Sequence, residues 1–302
     1  MTLHWDIVQG SDDWHHEREE NIGSSEIAVL FGCGEPYHPS LYELWAWKSG
    51  RASEPKIDDR PGSYIWYGKQ MEPVIANMAA LLNGWRIRPG PYAIDDECEG
   101  MAASLDFVID EPGPAEIELG FTGPGVLEIK NINVFQHREK WVDDQPTDPV
   151  VLQLQDETAC SGYTWGAVCS LVGGNDLRTY RFPARAKIHR MIRDRVTDFW
   201  RRVAEGDAPP IDGKAGTGRA LDEMYEPRGH HGVLELTSDE AETAAYAFFL
   251  AAAHKEASDR IHAECENVLK DLLAGAMRAR TAHHRIVRRG RKLIVYERKD
   301  GT

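Results

Sequence analysis

Alternating apolar and polar residues predict strands at the centre of this chain. Residues 126–131 alternate apolar with charged residues, so Glu128 and Lys130 emerge together on one face of a strand. A second strand-like run covers 101–109 and contains Asp106. The segment between the two runs is rich in turn residues, which predicts antiparallel neighbours and brings Asp106 beside Glu128.

Helical spacing of apolar residues predicts helices around these strands. The expected helices cover 40–50, 63–82, 150–160 and 187–204. A shorter helix is expected to begin at Ser24 or Ser25, because serine is a favourable N-cap residue. Strands and helices that alternate in this way are typical of an α/β protein with a central sheet flanked by helices.

The domain organisation follows from a composition change after the last of these helices. We expect a core over 1–205, a linker over 206–236 that is rich in glycine and proline, and a C-terminal appendage over 237–302. The appendage is predicted to contain one long helix followed by a basic β-hairpin. It could serve packing, oligomerisation or DNA contact, and the sequence leaves these roles open.

The charge distribution and the cysteine pattern limit the kinds of protein that this sequence can encode. The net charge is −14, yet positive residues gather in 181–202 and 278–299, which fit either solvated faces or a basic channel. The five cysteines include no C-x-x-C pair, so neither a disulfide framework nor a cysteine-ligated zinc site is indicated. The sequence shows neither a signal peptide nor an apolar run long enough for a membrane span, so we expect a cytoplasmic protein.

The central residues have the chemistry of a metal-dependent hydrolase. Asp106 and Glu128 supply oxygen ligands for a divalent cation, and Lys130 can orient or activate a water beside it. The alternative interpretation is a surface Glu–Lys pair on an edge strand. Arg18 near the helix at Ser24 fits an anion site, although a plain helix cap with a surface arginine explains the same residues.

Five ordered sequence blocks resemble a known family. The resemblance extends over about residues 12–205, and its blocks are Trp14–Arg18 running into Gly23–Ile27, Trp66–Pro73, Ala103–Asp106, Leu127–Lys130 and Leu152–Gln155. In this order they resemble the lambda-type, YqaJ-like phage recombination exonucleases of the restriction-endonuclease-like superfamily. The chain departs from the family at Leu105 and Phe107, where proline and glycine are common.

The resemblance implies a restriction-endonuclease-like core with a mixed central sheet, and it implies roles for individual residues. The implied metal ligands are Asp106, Glu128, Glu72 and the carbonyl of Ile129. Lys130 is the implied water activator, and Gln153 supports the water or the phosphate. The implied site for a 5′-terminal phosphate comprises Arg18, Ser25 and Ser24.

The implied activity is a magnesium-dependent 5′→3′ exonuclease on linear double-stranded DNA, with manganese as a substitute cation. It would generate 3′ single-stranded tails for recombination beside a single-strand annealing protein, and the resemblance implies a homo-oligomer such as a ring trimer. The alternatives are a structure- or site-specific endonuclease with the same metal site, and a nuclease-silent protein that binds DNA ends.

Overall fold

The computed structural model describes residues 2–35, 37–55, 58–225, 236–274, 276–290 and 292–297. The chain groups into two compact units, Met1–Pro227 and Arg228–Thr302. The helices of the first unit are α1 (Asp12–Glu20), α2 (Ile27–Leu30), α3 (Leu41–Lys48), α4 (Tyr64–Asn83), α5 (Pro114–Glu118), α6 (Val134–Lys140), α7 (Asp148–Ser161), α8 (Ala186–Glu205) and α9 (Ala215–Met224). Its strands are β1 (Thr2–His4), β2 (Ile22–Gly23), β3 (Arg86–Pro89), β4 (Tyr92–Ile94), β5 (Met101–Ser104), β6 (Phe107–Glu111), β7 (Gly125–Ile132), β8 (Trp165–Val172) and β9 (Asp176–Pro183).

A five-stranded mixed sheet has β7 at its centre, in the order β3-β6-β7-β8-β9. Strand β6 runs antiparallel to β7 with Phe107 opposite Leu127, and β8 runs parallel to β7 with Glu128 opposite Val168. The predicted antiparallel pairing of the two central runs is therefore confirmed. A shorter sheet of order β1-β4-β5-β2 completes the strands of this unit.

Side chains of β7 alternate between two apolar clusters. Leu127 and Ile129 pack in the cluster that contains Ile75 of α4, whereas Val126 belongs to the cluster that contains Leu154 of α7. Burying each such side chain contributes roughly 1.5–3 kcal/mol. This burial fixes the strand's register, so Glu128 and Lys130, which alternate with Leu127 and Ile129, are held on the face that α7 covers.

The long strand expected over 101–109 is wrong as a single element. It divides into β5 and β6 because the chain crosses between the two sheets at this point, and β3 and β4 are divided in the same way. The backbone N–H of Gly90 donates to the carbonyl of Asp106 at 3.0 Å. A Cβ on Gly90 would lie 2.2 Å from the Leu105 carbonyl oxygen, so this crossing requires glycine.

The linker expected over 206–236 also needs correction, because α9 lies within it and packs against α3. Thr217 donates its hydroxyl to Ser40 at 2.8 Å. Arg219 donates to both carboxylate oxygens of the buried Glu43 at 3.0 and 3.1 Å. These contacts make α9 part of the first unit; glycine and proline content hid its apolar residues from the sequence pattern.

The second unit contains the long helix and the basic strand pair that were predicted. Its elements are α10 (Asp239–Leu273), β10 (Arg278–Arg280), β11 (His284–Arg289) and β12 (Lys292–Glu297). The strands form an antiparallel sheet of order β10-β11-β12, so the expected hairpin gains a third strand. Arg291, between β11 and β12 of the predicted hairpin, lies outside the described residues. In the described parts of the chain, no helix has the length and apolar character required to cross a membrane.

Candidate active site

Strand β7 presents Glu128 and Lys130 side by side, as their two-residue spacing predicted. The ammonium Nζ of Lys130 lies 2.5 Å from Oε1 of Glu128. Glu128 is buried, while 28% of the Lys130 side chain remains exposed. The pair therefore stands at the edge of the interior, where a substrate can reach the lysine and the carboxylate is shielded from water.

Asp106 joins this pair from the loop that precedes β6. Its Oδ2 accepts a hydrogen bond of 2.9 Å from the backbone N–H of Ile129, the residue between Glu128 and Lys130. This bond positions the carboxylate against the central strand. The predicted juxtaposition of Asp106 and Glu128 thus comes from strand pairing together with one backbone contact.

Helix α7 supplies an amide that connects the charged groups. Gln153 accepts a hydrogen bond of 3.0 Å from Lys130 through its Oε1. Its Nε2 donates to Glu128 at 2.9 Å and to Glu157 at 3.0 Å. Gln153 and Glu157 share a face of α7 because they are four residues apart.

Glu157 is a site residue that the sequence interpretation missed. It is fully buried, and its second carboxylate oxygen has no hydrogen-bond partner among the described residues. The only signal in the sequence was its i+4 spacing from Gln153. In contrast, Gln155 lies elsewhere: its amide donates to the carbonyl of Pro183 at 3.0 Å and accepts from the N–H of Arg185 at 2.8 Å. Gln155 therefore fixes the start of α8.

The acids of the site outnumber its lysine. Desolvation raises the pKa of Asp106 well above its usual value, and the charges of Glu128 and Glu72 add to this rise. Desolvation likewise raises the pKa of Glu157 well above its usual value, with further contributions from Glu128 and Asp106. For Lys130, desolvation would lower the pKa, but the charges of Glu128 and Asp106 outweigh it and raise the pKa above the usual value. Lys130 is therefore held as a cation.

Glu72 approaches the same groups from α4, the helix that packs against the opposite face of β7. Desolvation raises its pKa, and the charge of Glu128 adds to the rise while Lys130 and Lys69 oppose it. Glu72 is therefore within electrostatic reach of Glu128, and its role as a metal ligand stays a prediction.

A divalent cation fits the chemistry of this cluster. In the described residues, no group of three or more histidine, cysteine, aspartate or glutamate side chains is already arranged as a metal site. Asp106 directs one oxygen at a backbone N–H, and Glu128 directs one at Lys130 and Gln153. However, Oε2 of Glu128 is buried and has no hydrogen-bond partner within the described part of the chain. A hard cation would satisfy such oxygens and offset the excess negative charge.

Arg18 lies in a second cluster, where it is paired with acids. Its Nη2 lies 2.6 Å from Oε1 of Glu26 and 3.5 Å from Oε1 of Glu54. The buried ammonium of Lys48 lies 3.6 Å from the other oxygen of Glu26. The two cations and two carboxylates balance, so a phosphate would have to displace a carboxylate to reach Arg18.

The helix expected at Ser24 or Ser25 takes a different form. Ser24–Glu26 is a 3-10 turn, and α2 after it contains four residues. Ser24 is buried and Ser25 is exposed. The turn ends in Glu26, whose carboxylate accepts from the N–H of Gly23 at 3.1 Å. A phosphate site at these serines therefore stays a prediction, and it lacks the long helix that its dipole argument used.

Comparison with protein families agrees with this geometry. The model of the YqaJ-like viral recombinase domain matches residues 13–164, a span that contains Asp106, Glu128, Lys130 and Gln153. The chain belongs to this family. It is 22% identical over 232 residues to the uncharacterized protein YqaJ of Bacillus subtilis (strain 168), an alignment that covers 75% of this chain and 67% of that protein.

Solved structures establish the fold of this YqaJ-like protein. An alkaline exonuclease from Laribacter hongkongensis is 18% identical, with a TM-score of 0.51 over 65% of this chain and 94% of that one. The same exonuclease in complex with dAMP gives a TM-score of 0.50 with the same identity and coverage. The likeness shows that the YqaJ-like chain has a restriction-endonuclease-like core, as predicted.

Proposed function

We propose that this YqaJ-like protein is a magnesium-dependent exonuclease that degrades one strand of linear double-stranded DNA from its 5′ end. The products would be 3′ single-stranded tails for phage-type recombination. The observation that carries the proposal is the convergence of Asp106, Glu128, Lys130 and Gln153 where β6, β7 and α7 meet. Oxygen ligands for a divalent cation, with a lysine beside the attacking water, are suited to metal-dependent phosphodiester hydrolysis.

Asp106, Glu128, Glu72 and the carbonyl of Ile129 would hold the magnesium ion. Bound there, magnesium would polarise the scissile phosphate and lower the pKa of the attacking water. The carboxylates also repel the phosphate in the absence of a cation, which makes the acidic site dependent on metal for substrate binding.

Lys130 would orient the attacking water and offset charge that develops on the phosphate. Its ammonium can donate three hydrogen bonds, of which the described contacts use those to Glu128 and Gln153. Gln153 would keep the ammonium in place through its carbonyl oxygen. Its amide nitrogen is anchored by Glu128 and Glu157, so the amide cannot rotate freely.

A comparison of linear and closed circular duplex DNA tests the proposal. With magnesium, the native protein should shorten linear duplex and leave closed circles intact. A label at the 5′ end should be released early as a mononucleotide, whereas a label at the 3′ end should stay on a long strand. Asp106→Asn should abolish both the shortening of linear duplex and the release of the 5′ label. That loss would assign the activity to this site rather than to a contaminating nuclease.

Two alternatives predict different results in the same experiment. Cleavage of closed circles would identify a structure- or site-specific endonuclease that uses the same metal site. Binding to DNA ends without cleavage of either substrate would identify a nuclease-silent accessory protein. The buried carboxylates favour a catalytic site, because clustered acids are costly to desolvate and serve no evident packing role.

Arg18 is our proposed contact for the terminal 5′-phosphate of the substrate. Glu54 is partly exposed, so an incoming phosphate could replace its carboxylate at Arg18. Glu26 would stay in place, because its carboxylate contacts both Arg18 and Lys48. Ser24 and Ser25 would lie beside the phosphate. Arginine suits this task because its guanidinium binds phosphate through charge-assisted hydrogen bonds.

The proposed setting follows from the family. Recombination requires a protein that anneals the exposed strand, so a single-strand annealing protein is the proposed partner. We also propose a cytoplasmic location, manganese as a substitute cation, and a homo-oligomer such as a ring trimer. Sedimentation of the purified protein with and without DNA tests the oligomer directly.

A further inference from the structure

The strand register of the second unit sorts its basic residues onto one face of the sheet. In antiparallel strands, directly opposite residues point to the same face. Arg278 lies opposite Val287, and Arg280 lies opposite Arg285. The register between β11 and β12 pairs Arg285 with Tyr296 and Arg289 with Lys292. The basic face is therefore formed by Arg278, Arg280, Arg285, Arg289, Lys292 and Tyr296, together with Val287 and Ile294.

The two faces of this sheet differ in charge. The five cations of the basic face are all exposed, and by register no strand carboxylate points to the same side. The opposite face contains the buried Ile286 together with Arg288 and Glu297. One face is thus suited to packing, and the other concentrates positive charge on a chain whose net charge is −14.

The cations of the basic face are available to a ligand. Within the described segments of the second unit, the ion pair found is Lys270–Glu266 of α10, and no cation of the basic face forms one. Arg285 instead stacks over the ring of Tyr296, with 5.1 Å from its guanidinium carbon to the ring centroid. This cation–π contact keeps the guanidinium beside Tyr296, and its N–H groups donate no hydrogen bond to the described residues.

The dimensions of the basic face match a polyanion rather than a single small anion. Arg285 and Arg289 are four residues apart on β11, a separation of about 13 Å, and the three strands span about 10 Å. Cations at opposite ends of this span, such as Arg285 and Arg289, cannot converge on one phosphate, although directly opposite pairs such as Arg280 and Arg285 can share one. They can contact successive phosphates of a nucleic acid strand, which carries one negative charge per about 3.4 Å of helix axis.

We propose that the basic face binds the phosphate backbone of DNA, outside the nuclease core and without reading base sequence. The source of the backbone is either the duplex substrate or the single-stranded tail left after digestion. This inference rests on the proposed function for its choice of DNA as the polyanion. Its test measures binding without cleavage, so the two proposals can fail separately.

The test compares full-length variants in EDTA, so that cleavage is absent. Arg280, Arg285 and Arg289 are replaced together by glutamine, and affinity for labelled single-stranded and duplex DNA is measured by fluorescence anisotropy. Loss of three phosphate contacts should weaken binding about tenfold or more at about 100 mM salt. The slope of log affinity against log salt should become shallower by about 2 for single strands and about 3 for duplex.

A matched control removes the same charge from other positions of the same unit. The control carries three substitutions, Lys255→Gln and Arg260→Gln on α10 and Arg288→Gln on the opposite face of the sheet. It loses three positive charges, the same number as the test variant. The control should bind within about twofold of the native protein, because these positions contact no backbone phosphate in the proposal. Replacing Arg280, Arg285 and Arg289 by lysine should retain most binding, since positive charge is what the backbone requires.

Each outcome bears on the proposal. Equal losses in the glutamine variant and its control, or no loss in either, would overturn it. A larger loss on single strands identifies the product tail as the ligand, and a larger loss on duplex identifies the substrate. If circular dichroism shows that the triple variant is misfolded, Arg289→Gln at the exposed strand end replaces it, with an expected slope change of about 1.

Cleavage assays separate this proposal from the proposed nuclease function. The native protein could bind DNA through the basic face in a salt-dependent way and yet cleave neither linear nor circular DNA. That result would support this inference and refute the proposed nuclease function. If the native protein cleaves DNA, but the variant with glutamine at positions 280, 285 and 289 binds DNA as well as the control does, only this inference is refuted.

Discussion

Lys130→Met should destabilise the protein when metal is absent. The change removes the ammonium 2.5 Å from the buried Glu128, and with it the positive charge that opposes the carboxylates of Glu128, Asp106 and Glu157. Removing one partner of a fully buried ion pair costs about 3–5 kcal/mol. Because 28% of the Lys130 side chain is exposed, we expect about 2–3 kcal/mol. For a unit of this size, that loss corresponds to about 4–12 °C in melting temperature.

Thermal unfolding in EDTA and in calcium measures this effect. Calcium serves as a surrogate that should bind the acids without supporting turnover. It should raise the melting temperature of Lys130→Met at least as much as that of the native protein, because the ion replaces the lost positive charge. Asp106→Asn should reduce the calcium response in both backgrounds. DNA cleavage by Lys130→Met with magnesium should be lost.

The control is Lys187→Met, which removes an exposed lysine from α8. It should melt within about 2 °C of the native protein, because an exposed lysine contributes little to stability. Equal melting temperatures of the two variants in EDTA would refute the conclusion that Lys130 compensates the buried acids. A calcium response that survives Asp106→Asn unchanged would refute the assignment of the cation to this cluster.

Three further predictions test other parts of the protein. Glu157→Ala should lower kcat about tenfold or more with little change in KM. Glu157→Gln should recover most of the rate, because its amide oxygen still accepts a hydrogen bond from Gln153. If steady-state kinetics give the same kcat for Glu157→Ala and the native protein, Glu157 has no role in the site. Duplex ends with a 5′-phosphate should be degraded roughly ten- to a hundredfold faster than 5′-hydroxyl ends. In the same assay Arg18→Ala should erase this preference, and equal native rates would refute the pocket. A chain that ends at Asp207 should have a free energy of unfolding in urea at least about 2 kcal/mol lower than a chain that ends at Tyr225, because it lacks α9. Equal urea midpoints would show that α9 does not stabilise the first unit.

The sequence predicted the elements that are strongly periodic. Strand β7 and helices α4 and α7 appear close to their expected positions, because each one buries a regular apolar stripe. The pairing of Glu128 with Lys130 followed from the two-residue period of a strand. The neighbouring Asp106 followed from the antiparallel connection, which the register of Phe107 with Leu127 confirms.

Elements whose position depends on tertiary contacts were missed. The division of β5 from β6 depends on the close approach of Gly90 to Leu105, which lies 15 positions away in the sequence. Helix α9 is short, and its buried Ala220 gains its environment from α3 rather than from its own neighbours. Local patterns contain neither kind of information.

The pairing of Arg18 with Glu26 and Glu54 was invisible for the same reason. The sequence indicated a free arginine near a helix start, and the structure instead shows a balanced cluster. In the second unit, by contrast, the basic strands were visible in the sequence. Their meaning came only from the register, which places the cations on a single face.

The orientation of Gln153 shows how Glu157, a residue outside the family blocks, can control the site. Its carbonyl oxygen faces the Lys130 ammonium, and its NH₂ group faces Glu128 and Glu157. Rotating the amide by half a turn would place its oxygen against two carboxylates and its NH₂ against an ammonium, so three hydrogen bonds would be lost and replaced by repulsion. Without Glu157, one N–H would lack its acceptor and the preference for this orientation would weaken. Residue 157 therefore determines how firmly Lys130 is held, although it performs no chemistry itself.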